Sequence, residues 1–125
     1  MNKKLKYLLN ENGDCGRSAL HWAIHLDSPD IVSFLIIKGA DPTVLTIDNY
    51  TPLQLAVQHH SPEIIALLLE QKKIDVNQVT KRGTALHLAV INEDKKCLEI
   101  LLKNEADIST QNMEGLTPLD ICKSS

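Results

Sequence analysis

Short apolar stripes at helical spacing recur along the chain, and polar segments separate them. In the first pair, Leu20, Ala23 and Ile24 lie on one face of a predicted helix, and a second stripe runs from Ile31 to Ile36. Each second stripe follows a residue whose side-chain oxygen can accept a hydrogen bond from a free N–H of the first helical turn; these residues are Ser28, Ser61 and Asp94. The pattern predicts pairs of short helices joined by loops.

The helix pairs recur with a constant period. Leucines stand at intervals of 33 residues along the chain: Leu20, Leu53, Leu86 and Leu119. Such a period is the signature of a stacked array, in which each unit buries its apolar face against its neighbours. We therefore predict one all-α repeat solenoid over 1–125, with a partial unit over 1–17, full repeats over 18–50, 51–83 and 84–116, and a truncated unit over 117–125. Because the last unit holds one helix, we expect the chain to be a fragment of a longer protein or its last unit to be partly exposed.

The ends of the second helices differ between repeats. Gly39 ends the first, because glycine adopts the left-handed conformation without steric cost. Lys73 and Glu105 stand at the equivalent position, where a side chain costs about 1–2 kcal/mol. We expect these two helices to end differently or to be weaker.

Each repeat carries a short motif at the start of its first helix. Thr51–Leu53 and Thr117–Leu119 both read Thr-Pro-Leu, and His21 and His87 follow the equivalent leucines of the other repeats. The motif resembles the Thr-Pro-Leu-His-x-Ala signature of the ankyrin repeat. Four copies in phase make the resemblance specific, and it covers the chain from Tyr7 onward.

The resemblance implies paired antiparallel helices with β-hairpin loops that project at right angles and leave a concave face, in about three full repeats plus partial terminal units. It also implies that His21 and His87 have a structural role, in which they bond backbone across the base of a hairpin. Gln54 and Asp120 stand at the histidine position in the other units. We expect the local hairpin geometry to differ there.

Composition and charge exclude several classes of partner. The formal net charge of −3 and the few aromatic side chains disfavour nucleic-acid binding, which needs clustered Lys and Arg and surfaces for base stacking. No apolar run approaches the length of a membrane span, so we expect no direct membrane insertion. The spacing of Cys15, Cys97 and Cys122 suits neither a disulfide framework nor a zinc site, which indicates a cytoplasmic, or nuclear, compartment. We expect a monomer.

Reactive side chains form no catalytic pattern. The sequence has no glycine-rich phosphate loop and no Gly-x-Ser-x-Gly elbow, and His59 and His60 lack further metal ligands at suitable spacing. Cys97 lies on an apolar stripe and Cys122 at a packing position, so neither is expected to be a nucleophile. We therefore predict that the chain is not an enzyme and holds no cofactor or metal.

A binding surface is the remaining candidate site. In the family that the chain resembles, partners meet the hairpin tips and the exposed side of each first helix. The matching positions are Arg17, Asp48, Tyr50, Arg82, Met113 and Leu116 at the tips, and His25, Leu26, Gln58, His59, Ile91 and Asn92 along the helices. Stacking places them in a row, which favours an interface over isolated surface residues. Trp22 is expected to pack between repeats, as Leu55 and Leu88 do.

Three functional hypotheses follow. The first is a non-enzymatic protein–protein interaction module that binds a partner protein, of unknown identity, through the hairpin tips and the concave helix face. The alternative is an ankyrin segment that targets or regulates a larger multidomain protein, such as a lipid-transfer protein, a channel or an enzyme. In the third, the chain is a substrate, because Asn77 resembles asparagines that cytosolic hydroxylases modify in this family.

Overall fold

The computed structural model describes residues 19–124, with side chains as far as Cys122. The predicted N-terminal unit over 1–17 and the predicted partner-binding residue Arg17 lie outside the described residues. In residues 19–124 there are seven helices and no strands: α1 (Ala19–His25), α2 (Pro29–Ile37), α3 (Pro52–Gln58), α4 (Pro62–Leu69), α5 (Ala85–Ile91), α6 (Lys95–Lys103) and α7 (Pro118–Ser124).

The helices stack in two rows. The inner row is α1, α3, α5 and α7, each packed against the next, and the outer row is α2, α4 and α6. Each outer helix also packs against the inner helix that precedes it in the chain. This arrangement confirms the all-α repeat solenoid, because neighbouring units bury each other's apolar faces.

The core is a column of equivalent apolar residues. Leu20, Leu53 and Leu86 are buried at the same position of successive inner helices, and Ile64, Ile65 and Leu68 of α4 are inaccessible to solvent. The column ends at α7, where Leu119 is 53% exposed. In residues 19–124 no outer helix covers Leu119, so the last unit is partly exposed.

The helix starts follow the predicted caps, with one exception. The Thr51 hydroxyl accepts a bond from the Gln54 backbone N–H at 3.0 Å, and Gln54 Oε1 accepts one from the Thr51 N–H at 3.2 Å. Ser28 and Asp94 cap α2 and α6 in the predicted way. Ser61 precedes α4 but makes no capping bond with its side chain. Its hydroxyl instead donates to the His59 carbonyl at 3.4 Å.

The loops are tight turns rather than strand pairs. The first is closed by a bond from the Thr46 N–H to the Tyr50 carbonyl at 2.9 Å, with Asn49 at φ 69°. Only the shorter loop forms a β-bridge within the described residues, between Thr80 and Gly83. The hairpins implied by the family resemblance are therefore reduced to turns, because two or three residues on each side are too few for a strand ladder.

The outer helices end in two ways. Gly39 has φ 107°, and Glu105 adopts the same left-handed region at φ 69° despite its side chain. Lys73 does not have a positive φ. The chain after α4 instead forms a turn, in which the Ile74 N–H donates to the Gln71 carbonyl at 3.1 Å.

Candidate partner-binding surface

The loops are held in place by the side chain at the histidine position of each repeat. His21 Nε2 lies 2.7 Å from the Val44 carbonyl, and His87 Nε2 lies 2.8 Å from the Leu116 carbonyl. Both rings are buried. Their contacts across the base of a loop are the structural role expected for these histidines.

In the second repeat, the side-chain amide of Gln54 anchors the loop. Its Nε2 donates to the Gly83 carbonyl at 2.9 Å, and its Oε1 accepts a bond from the Thr80 hydroxyl at 3.0 Å. The departure from the histidine pattern therefore leaves the loop anchored.

The anchored loops bring several predicted binding residues together. Arg82 Nε donates to the Asp48 carbonyl at 3.0 Å, and the Arg82 guanidinium lies 4.8 Å from the centroid of the Tyr50 ring. These contacts join the tips of two successive loops. A guanidinium over an aromatic face is an attractive arrangement, so the two tips support each other.

A second set of contacts runs from the loop to the inner helices. Gln58 Nε2 donates to the Tyr50 hydroxyl at 3.4 Å, and Asn92 Nδ2 donates to Gln58 Oε1 at 2.8 Å. Tyr50 is half-buried and packs against the core. Five of the twelve predicted residues (Asp48, Tyr50, Gln58, Arg82 and Asn92) are thereby linked in one connected group.

The aromatic rings of α1 and α3 form a third set. The rings of His25 and His59 meet edge to face with centroids 5.0 Å apart, and the indole of Trp22 meets His25 in the same way at 5.8 Å. Trp22 is 43% exposed, whereas Leu55 is 2% exposed at the equivalent position. The expectation that Trp22 packs between repeats was wrong, because it is the first of these residues and lies at the end of the described array. Its exposed side chain extends the candidate surface instead.

Four predicted residues supply exposed apolar area without a described polar contact between their side chains and the others. Leu26 is 67% exposed and Met113 is 66% exposed, and Ile91 and Leu116 are exposed as well. We call the exposed and partly exposed residues on α1, α3 and α5 or directly after them, together with the loop tips, the inner-helix surface: Trp22, His25, Leu26, Asp48, Tyr50, Gln58, His59, Arg82, Ile91, Asn92, Met113 and Leu116.

Two cysteines lie in the part of the chain that the structure describes. Cys97 is fully buried, and its Sγ donates to Asp94 Oδ2 at 3.0 Å. Burial, and then the neighbouring carboxylate, raise the pKa of the Cys97 thiol to about 12. Cys97 is therefore a protonated core residue at neutral pH. Cys122 is exposed, so its assignment to a packing position was wrong: no outer helix in residues 19–124 covers that side of α7.

Asp94 organises the start of α6. Its Oδ1 accepts a bond from the Cys97 backbone N–H at 3.2 Å, and its Oδ2 lies 2.7 Å from His60 Nδ1. The thiol bond from Cys97 and the His60 contact lower the pKa of the Asp94 carboxyl to about 2. The carboxylate is therefore the cap of this helix.

No group of three potential metal ligands comes together in the part of the chain that the structure describes. Among the helices of residues 19–124, none combines the length and the apolar character that crossing a bilayer requires.

Asn77 links two successive loops. Its side-chain oxygen accepts a bond from the Asp107 backbone N–H at 2.7 Å, and its own N–H donates to Asp75 Oδ1 at 2.9 Å. Modification of Asn77 therefore stays a prediction, at a residue that connects the second and third repeats.

Comparisons with known proteins agree with the repeat architecture. A family model described as ankyrin repeats in three copies matches residues 44–112, and a model of the single ankyrin repeat matches residues 15–47. The chain is 34% identical over 113 residues to the human transient receptor potential cation channel subfamily A member 1, covering 90% of the chain and 10% of the channel.

Two other relatives are a viral protein and a toxin. A putative ankyrin repeat protein of fowlpox virus is 39% identical over 118 residues, which is 91% of the chain and 33% of the viral protein. Alpha-latroinsectotoxin-Lt1a of Latrodectus tredecimguttatus is 32% identical over 114 residues, 88% of the chain and 8% of the toxin. The chain thus spans a third or less of the length of these relatives. With two family models and four in-phase motifs in agreement, the chain belongs to the ankyrin repeat family.

Proposed function

We propose that the chain is a non-enzymatic module that binds a partner protein through the inner-helix surface. Ankyrin repeats are protein-interaction modules and generally non-catalytic. The observation that carries the proposal is the connected group of Asp48, Tyr50, Arg82, Gln58 and Asn92, which spans two loops and two helices. A preorganised surface binds with less loss of side-chain entropy than a mobile one.

The composition of the inner-helix surface also supports a protein partner. Its connected polar group is flanked by exposed apolar side chains, with Leu26 at one end and Ile91 and Met113 toward the other. Aromatic and arginine side chains, here Tyr50 and Arg82, are the types that contribute most often to binding energy in protein interfaces. The chain carries a net charge of −3, which does not favour nucleic acid as the partner. We propose a monomeric state and a cytoplasmic or nuclear location.

Affinity capture with matched variants tests this surface. The purified chain serves as bait, and quantitative mass spectrometry compares the wild type with Leu26→Ser/Met113→Ser. The control is Phe34→Ser/Ile37→Ser on α2, because those side chains are similarly exposed at 57% and 73%. Tyr50 is left intact, since it packs against the core and its loss would lower stability.

We expect a set of captured proteins to fall at least about tenfold with the first pair and to persist with the second, as the loss of two apolar interface contacts predicts. Equal recovery with both pairs would remove the inner-helix surface from consideration.

A second candidate function is a targeting or regulatory segment of a larger multidomain protein, such as a lipid-transfer protein, a channel or an enzyme. The observation that favours it is that relatives such as the cation channel are much longer than the matched region. An antibody against the chain, used on extracts of the native source, measures the mass of the protein that carries it. A single band near 13.9 kDa would count against this candidate, and a larger band would support it.

A further inference from the structure

The inner-helix surface carries few charged side chains. The helices α1, α3 and α5 contain no aspartate, glutamate, lysine or arginine. Among the residues that define the surface, Asp48 and Arg82 are the only ones of these four types, and both lie at the loop tips. The preference of the surface for the charge of a partner therefore depends on the tips.

Two contacts fix the guanidinium of Arg82. Its Nε donates to the Asp48 carbonyl at 3.0 Å, and its Cζ lies 4.8 Å from the centroid of the Tyr50 ring. Tyr50 is itself anchored, because it packs against the core and its hydroxyl accepts a bond from Gln58 Nε2 at 3.4 Å. A guanidinium held in this way loses little further side-chain entropy when it binds a ligand.

The outer edge of this guanidinium is available to a partner. Among the described residues, Arg82 Nη1 and Nη2 have no hydrogen-bond acceptor. The pair of His60 and Asp94 is the one salt bridge between described side chains, so the Asp48 carboxylate does not form an ion pair with Arg82. Two amino groups in a planar fork match the two oxygens of a carboxylate.

Exposed apolar side chains lie at the tips of the preceding and the following loop. Ile47 in the first loop is 73% exposed, and Met113 in the third loop is 66% exposed. Because the repeats stack in chain order, the fixed cation of the second loop comes between these two apolar side chains. Lys81 lies next to Arg82 in the same loop and is exposed, but no described contact fixes its ammonium group.

Resting on the function proposed above, we propose that the partner protein places one aspartate or glutamate side chain on Arg82 and flanks it with apolar side chains. The carboxylate accepts bonds from both terminal amino groups of the guanidinium, and the flanking side chains contact Ile47 and Met113. Bidentate pairs of arginine and carboxylate are among the strongest hydrogen-bonded contacts and also fix geometry. The pair therefore sets the position of the partner's segment along the loop tips.

Random peptides displayed on phage are the probe for this site. They are selected on the full chain, and the selected sequences are synthesised with a fluorescent label for binding measurements by fluorescence polarisation. We expect the selected peptides to share one aspartate or glutamate with apolar neighbours. Replacing that residue with its amide should weaken binding at least about tenfold, because the shape is kept while the charge of the pair is lost.

Three variants of the chain locate the carboxylate. Arg82→Gln should weaken binding of the acidic peptide at least about tenfold and leave binding of the amide peptide within about twofold, which also shows that the surface is still folded. Arg82→Lys should recover little of the loss, since an ammonium group lacks the planar fork. Lys81→Gln is the matched control, because it removes the same charge from the neighbouring position, and it should change binding less than about twofold.

The proposal is overturned if the amide peptide binds the wild-type chain as tightly as the acidic peptide. It is also overturned if Lys81→Gln weakens binding as much as Arg82→Gln, since attraction by positive charge in general would then explain the result. A peptide with phosphoserine in place of the acidic residue supplies a further outcome. Binding at least about tenfold tighter than that of the acidic peptide would assign the site to a phosphorylated partner and would likewise overturn the proposal.

Leu26→Ser/Met113→Ser separates this proposal from the function on which it rests. Peptides that lose binding with this pair but not with Arg82→Gln would support the inner-helix surface and overturn the acidic partner alone. If no peptide is selected, or if the selected peptides are insensitive to the pair, the inner-helix surface fails and the proposal fails with it.

Discussion

At the scale of single residues, His87 shows how one side chain joins a helix to a loop. Its Nδ1 accepts a bond from the Thr84 N–H at 3.1 Å, so the proton of the neutral ring is on Nε2, which donates to the Leu116 carbonyl. The ring therefore satisfies one donor at the helix start and one acceptor in the next loop. A smaller side chain in place of His87 would leave the Thr84 N–H and the Leu116 carbonyl without these bonds and would open a buried cavity.

His87→Ala is expected to lower the free energy of unfolding by roughly 2–3 kcal/mol, because buried partners lose their bonds and the ring leaves a cavity. His87→Gln should recover most of that loss, since Gln54 makes the equivalent contacts in the second repeat. Urea denaturation followed by circular dichroism measures both. Equal destabilisation by Ala and Gln would contradict a hydrogen-bonding role.

The ionisation of Asp94 makes the free energy of unfolding depend on pH in the acidic range. Its carboxyl has a pKa of about 2 in the folded chain, below its usual value of 3.8, so the folded state binds a proton less readily than the unfolded state. The stabilisation is complete above pH 4 and is lost as the pH falls from about 4 to 2. Because Asp94 lies near solvent, which screens its interactions, we expect an effect of about 1–2 kcal/mol.

Denaturation midpoints at pH 6 and pH 3 test the role of Asp94. Asp94→Asn keeps a side-chain acceptor for the Cys97 N–H but cannot ionise. We expect the wild type to lose more stability than Asp94→Asn between the two pH values. Identical losses in the two proteins would show that other carboxyl groups account for the acid sensitivity.

At the scale of elements, two outer helices end with the same backbone hydrogen bond but with different residues in the left-handed conformation. The Ala40 N–H bonds to the Leu35 carbonyl at 2.9 Å, and the Ala106 N–H bonds to the Leu101 carbonyl at 3.0 Å, so α2 and α6 end with the same closure. The first uses Gly39 in the left-handed region and the other uses Glu105. The third repeat therefore carries a conformational cost that the first avoids.

Glu105→Gly should stabilise the chain by about 0.5–1 kcal/mol, because glycine removes the cost of the left-handed conformation. The greater freedom of glycine in the unfolded chain offsets part of that gain. Glu105→Ala is the control, since alanine loses the carboxylate but keeps the Cβ. Thermal unfolding of the three proteins measures the effect. A gain in the alanine variant equal to that in the glycine variant would point to charge rather than backbone conformation.

At the scale of the whole molecule, stability depends on how many neighbours each unit has. The second repeat is covered on both sides, whereas α7 packs against α5 and has no outer helix beside it in residues 19–124. Because repeats are stabilised by their own contacts and by contacts with adjacent units, the central repeat should open least often.

Ile65→Ala in α4 is expected to cost roughly 3 kcal/mol, because a fully buried side chain is truncated and leaves a cavity. Leu119→Ala should cost less than about 1 kcal/mol, since half of the side chain already meets solvent. Hydrogen exchange of the wild type should be slowest in α3 and α4 and fastest in α7. A cost at Leu119 as large as that at Ile65 would mean that α7 is covered in solution.

The helices, their starts and their family could be predicted from the sequence because they depend on residues that are close in the chain or recur at a fixed interval. The spacing of Leu20, Leu53 and Leu86 determines the period, and capping residues such as Thr51 and Asp94 act within one helical turn. The candidate surface followed from the same repeat register. Which of its residues touch one another did not, because those contacts join residues far apart in the chain.

Only the tertiary structure decided how exposed each equivalent position is. The sequence alone places Trp22 with Leu55, and Cys122 with the alanines of earlier repeats. Burial, however, depends on whether a neighbouring unit packs against the position. Equivalent positions of different repeats therefore differ in exposure at the ends of the described array. The sequence by itself therefore determined the unit and its repetition, while stacking determined the Arg82–Tyr50 contact and the exposure of Trp22.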